Sequence, residues 1–287
     1  MPLPEISFII LSYNSARDLP RCLQSIAKHV RQSYEIIVVD NASADDSAEL
    51  VRREFPSVRL FASDRNMLAA GWNYGIRKAS GRLVAIVNPD TALLEGTFDR
   101  MYAYLETHGD VAAVSPRLQN DDGSVESCFW RERTFRFFLY TCTFLRHLFP
   151  GRTARLEALH SMSDRSRTEV MEVEMMIDVC MLVRRDALDQ VGLYDDQFKL
   201  YFSDDDICLR LRQAGWKLVF LGDVVTRHAR HQSVNQHPPA WIVSIWREDA
   251  LRYCRKHFGA VSATLLLPFL RATMLLRALR VRFSSAS

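Results

Sequence analysis

Residues 84–91, VAIVNPDT, run four apolar residues into Asn88, Pro89, Asp90 and Thr91. Proline is poorly tolerated inside a central ladder, so a buried strand should stop here and leave the Asp90 carboxylate at its carboxyl end. Asp40 is placed in the same way after EIIVV, where it reads as a helix cap or as a second carboxylate on the same rim. Asp204, Asp205 and Asp206 are adjacent; such a run is costly unless a cation or a proton is shared, or unless a helix N-terminus takes up the charge. His228 follows another strand-like run and reads as a ligand or as an ordinary surface or core histidine. Carboxylates and imidazoles are the groups that take up protons in catalysis. Each of these residues nevertheless has an ordinary structural reading on its own.

The elements that must position them follow from periodicity. ISFIIL (6–11), EIIVV (35–39), VRLFA (58–62) and LVAIV (83–87) are short β-branched runs, separated by helical patterns at 17–30, 45–54 and 72–79. This β-α-β-α-β-α-β order predicts an α/β fold with a mainly parallel sheet flanked by helices. In such sheets ligands bind beyond the carboxyl ends of the strands, where Ser12-Tyr13-Asn14, Asp40 and Asn88-Pro89-Asp90 fall. QNDDGSVES carries a hairpin signal at Asp122-Gly123. Segment 129–167 has no clear period. Strand character resumes in VEMMIDVCMLVRRDAL (173–188), a helix is expected at about 204–214 with Ser203 or Asp204 as cap and Gly215 as stop, and WKLVFLGD (216–223) is a further strand before His228.

A chain of 287 residues, 48% hydrophobic, can bury a substantial core. Its six cysteines include no CxxC pair and no cleavable signal precedes the first strand, so a reducing cytosol without disulfides or cysteine-bound metal is expected. The net charge of +3 is unevenly spread: 129–167 carries a net +5 and 247–287 a net +6, which leaves −8 on the rest. Both basic segments are rich in Phe and Leu, a combination that suits an anionic lipid surface better than nucleic acid. Two solvated helices with basic faces would give the same composition.

Taken in order, SFIILSYNSARDLPRCLQSI, YEIIVVDNASADDS, RNMLAAGWNYGI, VAIVNPDT, MLVRRDALDQVGLYDDQF, LYFSDDDICLRLRQAGWKLVFL and the trailing His228 resemble the glycosyltransferase family 2 proteins of the A-type fold. Within that family the blocks are most similar to bacterial rhamnosyltransferases of cell-surface polysaccharide synthesis. The resemblance covers roughly residues 5–235; each block alone is weak, and their shared order carries the match.

The resemblance implies a nucleotide-sugar site in which Asp40 hydrogen-bonds the base and Ser12, Tyr13 and Asn14 close around the nucleoside. Arg65, Asn66, Gly71 and Asn73 would line the donor site. Asn88-Pro89-Asp90 would stand in for the family's Asp-x-Asp motif, with Asn88 at the nucleotide sugar and Asp90 on a divalent cation, Mg²⁺ or Mn²⁺, that bridges the phosphates. His228 matches a metal or phosphate ligand. Asp204 matches the catalytic base, and one direct displacement would invert the anomeric centre. The implied activity is metal-dependent transfer of L-rhamnose from dTDP-L-rhamnose to a lipid-linked or growing cell-surface glycan.

Two departures stand out. The family's Glu-Asp pair is Ser203-Asp204, and its usual Gly-Ala is Asp178-Val179, where Asp178 could narrow the pocket or bind a sugar hydroxyl. Two other readings therefore stay open: a UDP-hexose-dependent member of the family, and a catalytically silent nucleotide-sugar-binding assembly partner. A nucleotidyltransferase is disfavoured, since no Gly-rich, Lys-bearing loop follows the first strand.

The expected organisation is a catalytic domain over 1–240, divided into a nucleotide-sugar-binding half (1–115) and an acceptor half (116–240) with a variable segment at 129–170, followed by a helical, membrane-associating segment at 241–287. In that tail GAVSATLLLPFLRATMLL (259–276) is apolar apart from Arg271 and is interrupted by Pro268. A spanning helix wants ~20 clean residues. On an ideal helix Arg271 and Arg282 share one side while Arg277 and Arg280 lie nearly opposite. A surface-bound tail, peripheral on the cytoplasmic face of the plasma membrane, is the expectation.

Overall fold

The computed structural model describes residues 3–230 and 237–284, with side chains described through residue 276. The four β-branched runs form β1 (Ile6–Ser12), β2 (Tyr34–Asp40), β3 (Arg59–Ala62) and β4 (Leu83–Val87). They are parallel, in the order β3-β2-β1-β4. Their connections are α1 (Leu19–His29), α2 (Ser47–Glu54) and α3 (Ala70–Lys78). Every residue of β4 is buried, as expected of a central strand covered on both faces. A Cβ at Gly71 would collide with Leu11, and one at Gly75 would come within 2.5 Å of Ile9, so these glycines let α3 lie hard against β1.

After β4 the chain turns at Asn88, where the Thr91 N–H donates to the Asn88 carbonyl at 3.1 Å, and enters β5 (Thr91–Leu93). α4 (Thr97–Thr107) and β6 (Val111–Gln119) follow. The Asp122-Gly123 signal produces a tight turn with Gly123 at φ +87° and a single bridge between Gln119 and Val125. The stretch that lacked a period becomes β7 (Phe129–Trp130), α5 (Phe135–Thr141), α6 (Leu145–Leu148) and α7 (Pro150–Ser161). β8 (Val170–Val173), β9 (Met175–Met176), β10 (Cys180–Arg184), α8 (Arg185–Val191), α9 (Ser203–Gln213) and β11 (Lys217–His228) complete the sheet region. The sheet continues from β4 as β10-β6-β11-β5, with β8 also on β11; β10 runs antiparallel to β4 and β6. The fold is thus mixed α/β, its parallel half built from the first 87 residues.

Two local expectations are corrected. Neither Ser203 nor Asp204 caps α9: the helix starts at Ser203, and the capping position is Phe202 in a left-handed conformation (φ +63°), its ring buried against Phe138, Trp246 and Tyr253. β11 does not stop near 223 but continues past a register shift between Leu221 and Val225, so His228 is its last residue.

The C-terminal helix, α10 (Pro239–Ser284), is broken at Gly259 (φ 86°, ψ 163°). Its first limb shares the core with the residues before it: Ala250, Tyr253 and Cys254 are fully buried. Asp249, also buried, accepts the backbone N–H groups of Lys199, Leu200 and Tyr201 at 2.9–3.2 Å and so fixes the loop that leads into α9. The second limb buries Ala263, Leu266 and Leu270 but leaves Val261, Leu265, Leu275 and Leu276 exposed. It is tied to the chain before α6 by the Phe144 N–H on Thr273 Oγ1 at 2.8 Å. The stretch Pro239–Leu276 is long and apolar enough to cross a membrane by length and composition. The side chains of Arg277, Arg280 and Arg282 lie outside the described residues.

Candidate active site at the carboxyl ends of the strands

A cavity of about 690 Å³ opens over the carboxyl ends of β1, β4 and β11. Of the residues singled out in the sequence, Tyr13, Asn14, Asn66, Asn88, Asp90, Asp204 and His228 line it. Ser12 and Asp40 lie buried beside it, directly paired in the β1–β2 register. Asp40 Oδ2 accepts the Ser43 N–H at 3.2 Å, but Asp40 Oδ1 and Ser12 Oγ are buried with no hydrogen-bond partner. A buried unpaired carboxylate oxygen is costly, and a ligand N–H would relieve it.

The other expected donor residues have different surroundings. Arg65 lines a separate small hollow with Ser63, Asp64 and Tyr74. Asn66 lines the cavity but also accepts the Leu68 N–H at 2.8 Å, shaping its own loop. Asn73 does not face the cavity: its amide is buried, donates to the Tyr194 carbonyl at 2.7 Å and to Asp196, and accepts the Tyr194 N–H at 3.0 Å. Gly71 serves the packing of α3 on β1 described above rather than an approach to the cavity.

Asp90 is brought to His228 by strand pairing. Thr91 is the register partner of His228 between β5 and β11, and the Ala229 N–H donates to the Asp90 carbonyl at 3.0 Å. His228 Nε2 lies 3.3 Å from Asp90 Oδ1, and its Nδ1 lies 2.7 Å from Glu126 Oε2. Burial disfavours a charged ring here, but the two flanking carboxylates outweigh it and raise His228 to about 9. Among the described residues no group of three or more His, Cys, Asp or Glu is arranged to hold a metal ion on its own. The Asp90–His228 separation does match two neighbouring ligands of one ion, and two protein ligands suit a cation that takes the rest of its shell from water and substrate phosphate.

On α9, Asp204 and Asp205 line the cavity and Asp206 does not. Burial, then the charges of Asp205 and Asp178, push Asp204 well above the usual carboxylate range. Asp205 accepts the Trp130 indole N–H at 2.6 Å and pairs with Arg133 Nε at 3.0 Å. The Arg133 guanidinium also lies 5.4–5.6 Å from the rings of Trp130, Phe137 and Phe202. Asp206 is fully buried among Arg210, Lys256 and His257, at 2.6–2.8 Å; these donors overcome burial and lower it to about 2. Asp178 lines the cavity, and burial raises it above the usual carboxylate range.

Glu126, Trp130, Arg133, Arg230 and Trp246 also line the cavity and were not singled out in the sequence. Trp246 stands in α10 and the others in or beside turns or in the unassigned stretch, and the polar side-chain contacts of these others are with distant residues: Glu126 with His228 and Arg230, Trp130 and Arg133 with Asp205. Local pattern carries no signal for such contacts. One geometric mark is shared: Asn14, Leu68, Phe202 and Arg230 all line the cavity with positive φ although none is glycine. Left-handed backbone of this kind is uncommon and clusters at functional sites.

A family model described as glycosyl transferase family 2 matches residues 7–192. The N-acetylglucosaminyl-diphospho-decaprenol L-rhamnosyltransferase of Mycobacterium tuberculosis is 24% identical over 270 residues, covering 88% of this chain and 84% of the relative. Among solved structures, GalNAc-T7 with UDP, GalNAc and Mn²⁺ superposes with a TM-score of 0.59 at 16% identity, over 79% of this chain and 44% of that one. Residues 1–349 of S. aureus TarS in complex with UDP-GlcNAc give 0.57 at 16% identity, over 93% of this chain and 71% of that one. These likenesses establish the A-type glycosyltransferase fold.

Proposed function

The chain belongs to glycosyl transferase family 2, and from that premise we propose that it is an inverting, divalent-cation-dependent enzyme that moves L-rhamnose from dTDP-L-rhamnose onto a lipid-linked glycan. The observation that carries this reading is that a single cavity holds Asp90 and His228 together with the base candidate Asp204. Rhamnose and the lipid-linked acceptor are carried over from the name of the mycobacterial relative.

In this reading Asp40 Oδ1 accepts an N–H of the base, and Tyr13 and Asn14 wall the nucleoside. Asp90 and His228 would hold the cation, and the chemistry it would supply is neutralisation of charge on the departing diphosphate. The acceptor hydroxyl oxygen bonds to the anomeric carbon while the bond from that carbon to the diphosphate oxygen breaks, and its electron pair leaves with the nucleoside diphosphate. Asp204 takes the hydroxyl proton. Displacement from the face opposite the leaving group inverts the centre. Although Ser203 replaces an acidic neighbour, burial, and after it the charges of Asp205 and Asp178, increase the proton affinity of Asp204.

The exposed apolar residues of the second α10 limb, with Arg271 among them, suit peripheral attachment to an anionic membrane surface on the cytoplasmic side. Contact with the bilayer would bring the cavity to a lipid-linked acceptor.

A donor screen by thermal shift, with and without Mn²⁺ or Mg²⁺, tests the assignment, because a ligand that binds the folded state raises its melting temperature. A cation-dependent shift with dTDP-L-rhamnose is expected. The second reading, a UDP-hexose donor, draws on the UDP-GlcNAc in the TarS complex; a shift with UDP-sugars and none with dTDP-sugars would replace rhamnose by it.

A further inference from the structure

Glu126 belongs to none of the motifs that carry the family match, yet its carboxylate is held on both oxygens beside the candidate cation ligands. It follows the Gly123 turn, where its N–H donates to the Leu118 carbonyl of β6 at 3.0 Å. Its carboxylate, only 12% exposed, has a donor on each oxygen: Arg230 Nε lies 3.2 Å from Oε1, and His228 Nδ1 lies 2.7 Å from Oε2. The opposite ring nitrogen, Nε2, is the one 3.3 Å from Asp90.

We propose that Glu126 is the positioning residue of His228: by accepting the Nδ1–H it fixes the plane of the ring and reserves Nε2 for a cation shared with Asp90. The inference rests on the cation-dependent reading above. An imidazole ligates through one nitrogen while the other donates to a fixed acceptor, and that acceptor decides which nitrogen carries the lone pair. The ring sits between two carboxylates, and a bound cation would take the place of the Nε2 proton that faces Asp90; without Glu126 the ring is free to rotate about its side-chain bonds or to keep its remaining proton on Nε2, and either change removes a ligand. Glu126 is not itself suited to share the ion, because its oxygen contacts the far nitrogen of the ring. Arg230 has a matching part, since it holds the second oxygen and so limits rotation of the carboxylate.

Glu126→Gln keeps the size of the side chain but leaves one acceptor oxygen for two donors. Mn²⁺ is titrated calorimetrically into the protein with UDP or dTDP, and pulsed electron paramagnetic resonance of the bound Mn²⁺ reports whether an imidazole nitrogen is coordinated. Wild type is expected to give nitrogen coupling. In the variant, Mn²⁺ affinity should fall by roughly 10- to 100-fold and the coupling should weaken, while nucleotide affinity without metal is unchanged. A purely structural role would instead lower metal-free nucleotide binding as well. Glu126→Asp, which retains both acceptors at shorter reach, should lie between the two and serves if the glutamine variant does not fold. Bound Mn²⁺ without nitrogen coupling in wild type, or wild-type affinity and coupling in Glu126→Gln, overturns the assignment of Glu126. Failure of wild type to bind Mn²⁺ at all, with nucleotide binding intact, overturns the cation-dependent reading itself.

Discussion

Asp204 and Asp206 stand two residues apart in the first turn of α9 and meet opposite surroundings: Asp204 faces the cavity among other carboxylates, and Asp206 is enclosed by Arg210, Lys256 and His257. The sequence run alone leaves it open which of the two is the base. The packing separates them, because a carboxylate saturated with cationic donors has little affinity for a further proton, whereas one raised by burial and by like charges has more. Asp204→Asn should therefore retain donor binding and lose turnover by roughly 10²-fold or more, the scale of a lost general base. Steady-state kinetics with acceptor, beside calorimetry with donor alone, checks both halves. Near-normal turnover would remove Asp204 from the mechanism.

Asp206 should govern acid stability instead. Its pKa falls from the ordinary 3.8 to about 2 on folding, so the stabilisation is fully present above pH 3.8 and is lost as pH falls through 2. The shift corresponds to about 2 kcal/mol. Asp206→Asn leaves Arg210 and Lys256 without their shared anion and should cost roughly 3 kcal/mol or more at neutral pH. The gap between variant and wild type should narrow between pH 4 and pH 2 in urea titrations. A gap independent of pH would mean that the carboxylate charge is not the source.

The unpartnered Oδ1 of Asp40 gives a prediction about the base. Asp40→Ala should weaken UDP or dTDP binding by roughly 10-fold or more, as for a hydrogen bond to a charged acceptor. An N3-methylated pyrimidine nucleotide lacks the same bond from the other side. Wild type with the methylated nucleotide should match the variant with the ordinary one, and the two losses should not add. Additive losses in isothermal titration would place the N–H elsewhere.

What the sequence made legible depended on how local the cause was. β1, β2 and β4 announce themselves because buried parallel strands favour β-branched residues, and the carboxyl-end residues Asp40 and Asp90 follow at once. α5 carried no readable period because it is short and its apolar residues pack on distant elements, as Phe138 does on Tyr253 and Phe258, while α6 and α7 bury almost no apolar side chain and so show no apolar face. Asn73 sits in a motif with the expected spacing, yet its amide is engaged by a turn 121 residues away. The roles of Asp205 and Asp206 depend on partners 72 and 51 residues away, Arg133 and His257. Only the Asp206–Arg210 pair, one helical turn apart, is local; no local pattern holds the rest.

The tail presents two faces that substitution can separate, whereas deleting 259–287 would remove both at once. Val261 and Leu265, 73% and 55% exposed, have little to lose on folding. Replacing both by Glu should leave the melting temperature unchanged and reduce binding to vesicles containing anionic lipid by 10-fold or more, since burial of two apolar side chains and local electrostatic attraction are both lost. Leu266 is fully buried one position further on. Leu266→Ala should do the reverse, lowering stability by roughly 2–5 kcal/mol while the folded fraction still binds vesicles. Neutral vesicles serve as the control, because a basic, apolar surface helix should bind them less well than anionic ones. If the Val261 and Leu265 variant binds anionic vesicles as wild type does, the exposed face is not the membrane contact, and the basic segment at 129–167 becomes the surface to test.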